Sequence, residues 1–169
     1  MAHYEAEGIE AVGAGLILLR KRSAERHWVR IDDGPPYDDK AGAALLLGFR
    51  LRDFLESLPD DRPLLELPLR LSPTARVEHR LRPAPAGWTV ADAKCLHDHG
   101  LIFIGQLDEV AFRLLTLCRG DRPLRDLLPG LARTAGRDPD ELIPDLLPVV
   151  RGLVEQGFLL PPVIDDPAG

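Results

Sequence analysis

No stretch of the chain approaches the ~18–20 consecutive apolar residues that a membrane span requires. The longest, around Gly13–Leu19 and Ala41–Phe49, fall well short, and no basic start with a small-residue cleavage site precedes them. Bilayer insertion is therefore not expected, and a cytoplasmic location is. Cysteine is equally scarce: Cys95 and Cys118 make neither a disulfide framework nor a CxxC pair, so both are expected to be reduced thiols. The chain has no Gly-rich phosphate loop behind a strand, no GxSxG elbow and no HExxH pair, which removes the usual signatures of a self-contained enzyme. Basic excess is missing too. The net charge is −6, and the deficit is shared: residues 1–72 hold 10 basic and 13 acidic side chains, residues 73–169 hold 11 and 14. Neither half has the charge of a nucleic-acid module.

What is present is enough apolar material for a core: 169 residues, 45% hydrophobic and 28% charged, fit one medium domain or two small ones. In the first half, Leu16–Leu19 and Trp28–Ile31 suggest two strands of a hairpin. After the turn-rich DDGPPYDD, Leu51, Phe54, Leu55 and Leu58 fall at helical spacing, predicting an amphipathic helix over Phe49–Leu58. Leu65, Leu67, Leu69 and Leu71 then alternate with polar residues and Pro68, as in an edge strand or extended connector, and a domain boundary is expected near Ser72. In the second half, Ala75–Leu81, Trp88–Ala91 and Leu101–Ile104 predict three short strands. Asp108 suits the N-cap of a helix over 108–118 that Gly120 stops. A second helix starts behind Pro123, with Pro129 expected to bend it. A third starts at DPDE (138–141) and runs to Gln156, although Pro144 and Pro148 weaken it. Its apolar positions spread over roughly 160°, wider than the ~100° stripe one core contact needs, so this helix is expected to touch two things. FLLPP closes the fold as a short strand or tail.

Three strands, a helix opening with Leu-Asp-Glu-x-Ala, Gly-Asp-Arg-Pro-Leu before a second helix, and an acidic-capped third helix ending in Gly-Phe-Leu-Leu resemble the PqqD-like winged-helix domains. The likeness covers residues 73–161. It implies an α+β protein: a small N-terminal α+β domain over 1–72, read as an enzyme-docking module, and a winged helix over 73–169. Domains of this family bind the leader of a ribosomally made precursor peptide as an added strand and present it to a separate modifying enzyme. The matching surfaces here are Leu101, Ile102, Phe103 and Ile104 for backbone pairing, and Leu142, Leu146 and Val149 for side-chain pockets. The resemblance thus implies a non-catalytic partner protein, with a metal-dependent oxygenase or a radical enzyme beside it and no cofactor of its own.

Four rival readings come from other classes. Cys95, His97 and His99 alternate, so on a strand all three face one way and offer Zn²⁺ ligands, but ligands so close in sequence do not readily wrap a tetrahedral ion. A polar turn is preferred, and no metal site is assigned. The carboxylates of DDGPPYDD are read as a solvated loop rather than acid–base groups. A winged-helix regulator would need a basic recognition helix, whereas residues 138–156 carry Asp138, Asp140, Glu141, Asp145 and Glu155 against Arg151. The arginines at 20–30 and 119–125 keep that alternative open. An accessory subunit that stabilises an enzyme without touching peptide is the other.

Overall fold

The run AGAALLLGFRLRDFLES forms α1 (Ala41–Ser57) because Leu47, Leu51 and Leu55 recur one turn apart and bury a single stripe. The computed structural model describes residues 8, 10, 17–23, 27–31, 33–85 and 87–164. Pro59 follows the last turn, and a short 3₁₀ helix over Arg62–Glu66 seats Leu64 in the core. Next come β1 (Arg70–Leu71), β2 (Ala75–Ala84), β3 (Gly87–His97) and β4 (Ile104–Leu107). The helices α2 (Glu109–Leu117), α3 (Leu128–Ala135) and α4 (Pro139–Glu155) follow, then β5 (Leu159–Leu160). The fold is α+β, with two small antiparallel sheets: β2-β3-β4, and a two-stranded ladder in which Arg70 pairs with Leu160 and Leu71 with Leu159.

Sharp punctuation shapes the helices. Asp108 accepts the Ala111 N–H at 2.7 Å, and Asp138 accepts the Asp140 N–H at 2.9 Å, each capping the helix it precedes. Gly136 ends α3 in the left-handed region, where a side chain is disfavoured. Pro129 lies in the first turn of α3 and does not bend it, since the preceding turn, Leu124–Leu127, is 3₁₀. Pro144 and Pro148 stay inside α4, both on its exposed face.

The wide apolar arc of α4 has an intramolecular explanation. Leu142, Leu146, Leu147, Val150, Leu153 and Val154 are all buried, and the helix packs against both α1 and α3. Arg52 of α1 joins Glu155 of α4, and Arg151 of α4 reaches Asp61 at 2.6 Å. Both things the helix was expected to touch belong to this chain. The expected boundary near Ser72 therefore falls inside one compact unit that begins at Pro36. Leu47, Leu51, Leu55, Leu64 and Leu69 share a core with Leu114, Val150 and Phe158, so residues 41–71 are not a separate docking domain.

Residues 1–35 form a unit of their own. The hairpin expected over Leu16–Ile31 is absent among its described residues, and Leu16 and residues 24–26 lie outside them. Ile17, Leu19, Val29 and Ile31 are exposed, so most of the apolar positions among the described residues bury little that would reward strand pairing. The strand expected over Leu65–Leu71 shrinks to Arg70–Leu71, because Pro63 and Pro68 favour turns over a ladder.

Hairpin β2–β3 is longer than the sequence suggested. Its lower half covers the core through Val77 paired with Cys95 and His79 with Ala93. A bulge at Arg80/Leu81 leaves Ala91 unpaired, and the same face continues outward as the pairs Leu81–Val90 and Pro83–Trp88. That outer ladder is open, with Trp88 71% exposed. None of the described helices is long and apolar enough to cross a membrane.

Candidate functional site

Two edges bound the three-stranded sheet, and their sequences differ in kind. The β2 edge carries Arg76, Glu78, Arg80, Arg82 and Pro83, the charges and proline that discourage strand addition. The β4 edge reads Ile-Gly-Gln-Leu, with neither charge nor proline, and β3 is its one strand partner among the described residues. Ile104 and Gln106 are exposed on it. Gly105 turns toward the core, where a Cβ would lie 3.1 Å from Cys95 Sγ.

The strand expected over Leu101–Ile104 is thus shifted: it begins at Ile104 and runs to Leu107. Leu101 makes only an isolated antiparallel bridge, to Tyr37, and the Phe103 N–H turns back to the Leu101 carbonyl at 2.9 Å. Gly100, at φ +84°, introduces this bend, and a Cβ there would come within 2.7 Å of Ala44 Cβ in α1. Phe103 packs partly buried against the core. On the helix side, Leu142 and Leu146 are core residues, 4% and 3% exposed, and offer no pocket to a ligand. Val149 alone of the three proposed helix positions is exposed, at 42%. The expectation failed there because helical spacing marks an apolar face without saying which neighbour covers it.

Sequence reasoning missed the association of Asp38, His99 and Gly100. Asp38 sits in the acidic run read as a solvated loop, yet its Oδ1 accepts the N–H groups of Gly100 at 2.8 Å and Lys40 at 2.9 Å, while Oδ2 lies 3.1 Å from His99 Nδ1. The Gly100 N–H, then the Lys40 N–H, and then His99 hold this carboxyl below its ordinary range. The Ile102 N–H donates to the Pro36 carbonyl at 2.8 Å, and the Asp38 N–H to the Gly100 carbonyl at 3.1 Å. Residues 36–38 thereby line up beside 100–102.

The three residues weighed as Zn²⁺ ligands are drawn apart by their partners. Cys95 lies against the Gly105 carbonyl, and burial pushes its thiol up, away from the thiolate a metal needs. Cys118 is buried and pushed up to about 12. His99 lies past the end of β3, on Asp38. His97 stacks on Phe158, ring centroids 4.3 Å apart. Its Nε2 is 2.9 Å from the Gln156 carbonyl, which only accepts, so Nε2 carries a proton, and Nδ1 lies 3.0 Å from the Thr74 hydroxyl. The Ser72 hydroxyl lies 3.0 Å from Thr74 Oγ1 and shares a hydrogen bond with it. Such a hydroxyl–imidazole chain resembles a nucleophile relay, but Ser72 is 2% exposed and His97 7%, so no substrate reaches it. It fastens the turn before β2 to the end of α4. Thr74→Val is expected to cost about 1–3 kcal/mol of stability by stripping buried groups of their partner, measured by urea denaturation.

A family model described as a domain of unknown function, DUF7782, matches residues 38–161. No curated protein matches the chain. The matched span opens at Asp38, takes in α1 and closes just behind β5, so its limits nearly coincide with those of the compact unit. With well over half its length matched, the chain belongs to the DUF7782 family.

Proposed function

We propose that the protein is a non-catalytic peptide-binding partner that takes the leader of a ribosomally made precursor peptide as an added strand on β4 and presents it to a separate modifying enzyme. The observation that carries the reading is the uncharged, proline-free β4 edge, set against the guarded β2 edge of the same sheet. The order of three strands followed by helices, with aspartate caps at 108 and 138, supports the PqqD-like winged-helix resemblance from which the reading comes. A fitting peptide places an apolar side chain across from Ile104 and a polar one across from Gln106. Asp140 and Glu141 in the first turn of α4 favour Lys or Arg near the anchors. The enzyme partner is a metal-dependent oxygenase or a radical enzyme, and the setting is cytoplasmic.

Against the regulator, α4 carries one cation, Arg151, and it is engaged by Asp61 and Glu56. Arg125, in the second basic segment, pairs with Glu66. Phosphate binding would have to break these contacts.

Titration of the leader encoded beside a modifying enzyme is expected to slow amide exchange on alternate residues of Ile104–Leu107, with affinity falling only modestly with salt. Unchanged exchange across β4 at saturating peptide would refute the site. Retention of duplex DNA, with a steep salt dependence, would instead identify a regulator.

A further inference from the structure

We propose that Arg70 and Arg119 form a binding site for a small phosphomonoester with an apolar substituent. The two residues stand opposite each other in an isolated antiparallel bridge between β1 and the turn behind α2. The Leu71 N–H donates to the Cys118 carbonyl at 2.9 Å, and the Gly120 N–H to the Leu69 carbonyl at 3.0 Å. Those bonds flank the pair on both sides, so it is of the non-hydrogen-bonded kind, whose side chains lie closest and on one face. Like charges placed so repel each other. Elsewhere the fold answers a guanidinium with a carboxylate, as at Arg52, Arg137 and Arg151. Among the described residues, Arg70 and Arg119 meet none.

The surroundings are arranged for an anion from outside. Gly120 has no side chain where a Cβ would lie 3.1 Å from Arg70 Cβ, which clears the path of the arginine stem. One Nη of Arg70 donates to the Ile164 carbonyl at 3.2 Å, holding the guanidinium in place and leaving most of its N–H donors for a ligand. Both arginines line one open cleft of about 350 Å³, at the small end of ligand sites, together with apolar Leu71, Leu115 and Cys118. Thr116, also in the wall, spends its hydroxyl proton on the Arg113 carbonyl at 2.7 Å, so anion recognition falls to the two guanidiniums. A phosphomonoester brings a charge of about −1.5 to −2 at neutral pH and three acceptor oxygens, enough to neutralise the pair and engage both forks. A carboxylate leaves one positive charge over. The apolar lining takes the group that the phosphate esterifies. The inference goes beyond the leader reading and does not depend on β4.

Phenyl phosphate, titrated into the full chain and followed by amide and arginine Nε–H NMR signals, is the probe. It is expected to shift Leu71, Gly120 and both arginine side chains, and to raise the melting temperature by about 4 °C at ten times its Kd. Inorganic phosphate and benzoate should each bind at least about fivefold more weakly. Arg119→Gln, at an exposed position, should weaken phenyl phosphate about tenfold without lowering the melting temperature of the free protein, because it relieves a repulsion. Arg70→Lys, which keeps the charge and loses the fork, should also weaken it. Arg122→Gln, which removes an exposed cation three residues further on, should not. Unmoved Leu71 and Gly120 signals at several millimolar phenyl phosphate, equal affinity for inorganic phosphate, or an equal loss in Arg122→Gln overturns the proposal. Binding that requires Asp165→Asn with Asp166→Asn overturns it too, since the chain's own carboxylates would then be the partners of the pair.

Discussion

A fragment of residues 73–169 is expected to show no cooperative unfolding, while residues 36–169 should fold as the full chain does. The shorter fragment lacks Leu47, Leu51, Leu55, Leu64 and Leu69, each at most 9% exposed in the intact protein, and it lacks β1. Burying a leucine contributes ~1.5–3 kcal/mol, so five amount to roughly 8–15 kcal/mol. That equals the whole ~5–15 kcal/mol stability of an ordinary domain. The fragment would also expose Phe158, Leu159 and Leu160, which are completely buried in the intact chain. Circular dichroism during thermal and urea denaturation decides the matter: a sloping, non-sigmoidal transition for 73–169 is the expected result. A sharp one would show that α1 is an attachment rather than a wall of the core.

Phe158→Ala should be the most damaging single substitution, lowering stability by about 3–5 kcal/mol. Phe158 is 0% exposed, stacks on His97, and reaches within 3.9 Å of the position a Cβ on Gly105 would take, so one ring lies against β3 and β4 while its backbone N–H bonds to Leu153 of α4. Its loss opens a cavity at the point where three elements meet, and it bares the face of an imidazole whose nitrogens are already committed. Phe158→Leu should recover part of the loss by refilling volume, without the stack. Urea midpoints for the two variants give the comparison. Equal midpoints for wild type and Phe158→Ala would mean that the ring is not a keystone.

The reason some of this was legible in the sequence lies in the range of the interactions. Asp108 and Asp138 cap helices through bonds two or three residues away, and Gly136 needs only its own backbone to end α3, so local pattern was sufficient. The β2–β3 pairing was half visible: Ala75–Leu81 has strand character, but the outer ladder around Ala84–Gly87 is small residues and proline, held by register and not by propensity. The start of α1 escaped notice because Ala41–Gly48 is too uniformly small and apolar to show a helical period, and the period appears only from Leu47 onward. The candidate site was misplaced by the same limitation. Whether Leu142 faces a ligand or α3 depends on an element distant in sequence. Asp38 gains its meaning from Gly100, whose glycine is obvious and whose partner is not.

The β1–β5 ladder has a consequence for how the protein is made. Arg70 and Leu71 wait for Leu159 and Leu160, and the Ser72 N–H waits for the Phe158 carbonyl, so the early part of the compact unit cannot close until its last part exists. During synthesis the ribosome still shelters Phe158–Leu160 after α1, the hairpin and α2 have emerged, and those elements must stand with their leucines uncovered. Folding then waits until the whole compact unit has emerged instead of progressing along the nascent chain. Translation rate should matter little to yield, while chaperones that hold exposed apolar segments should matter a great deal.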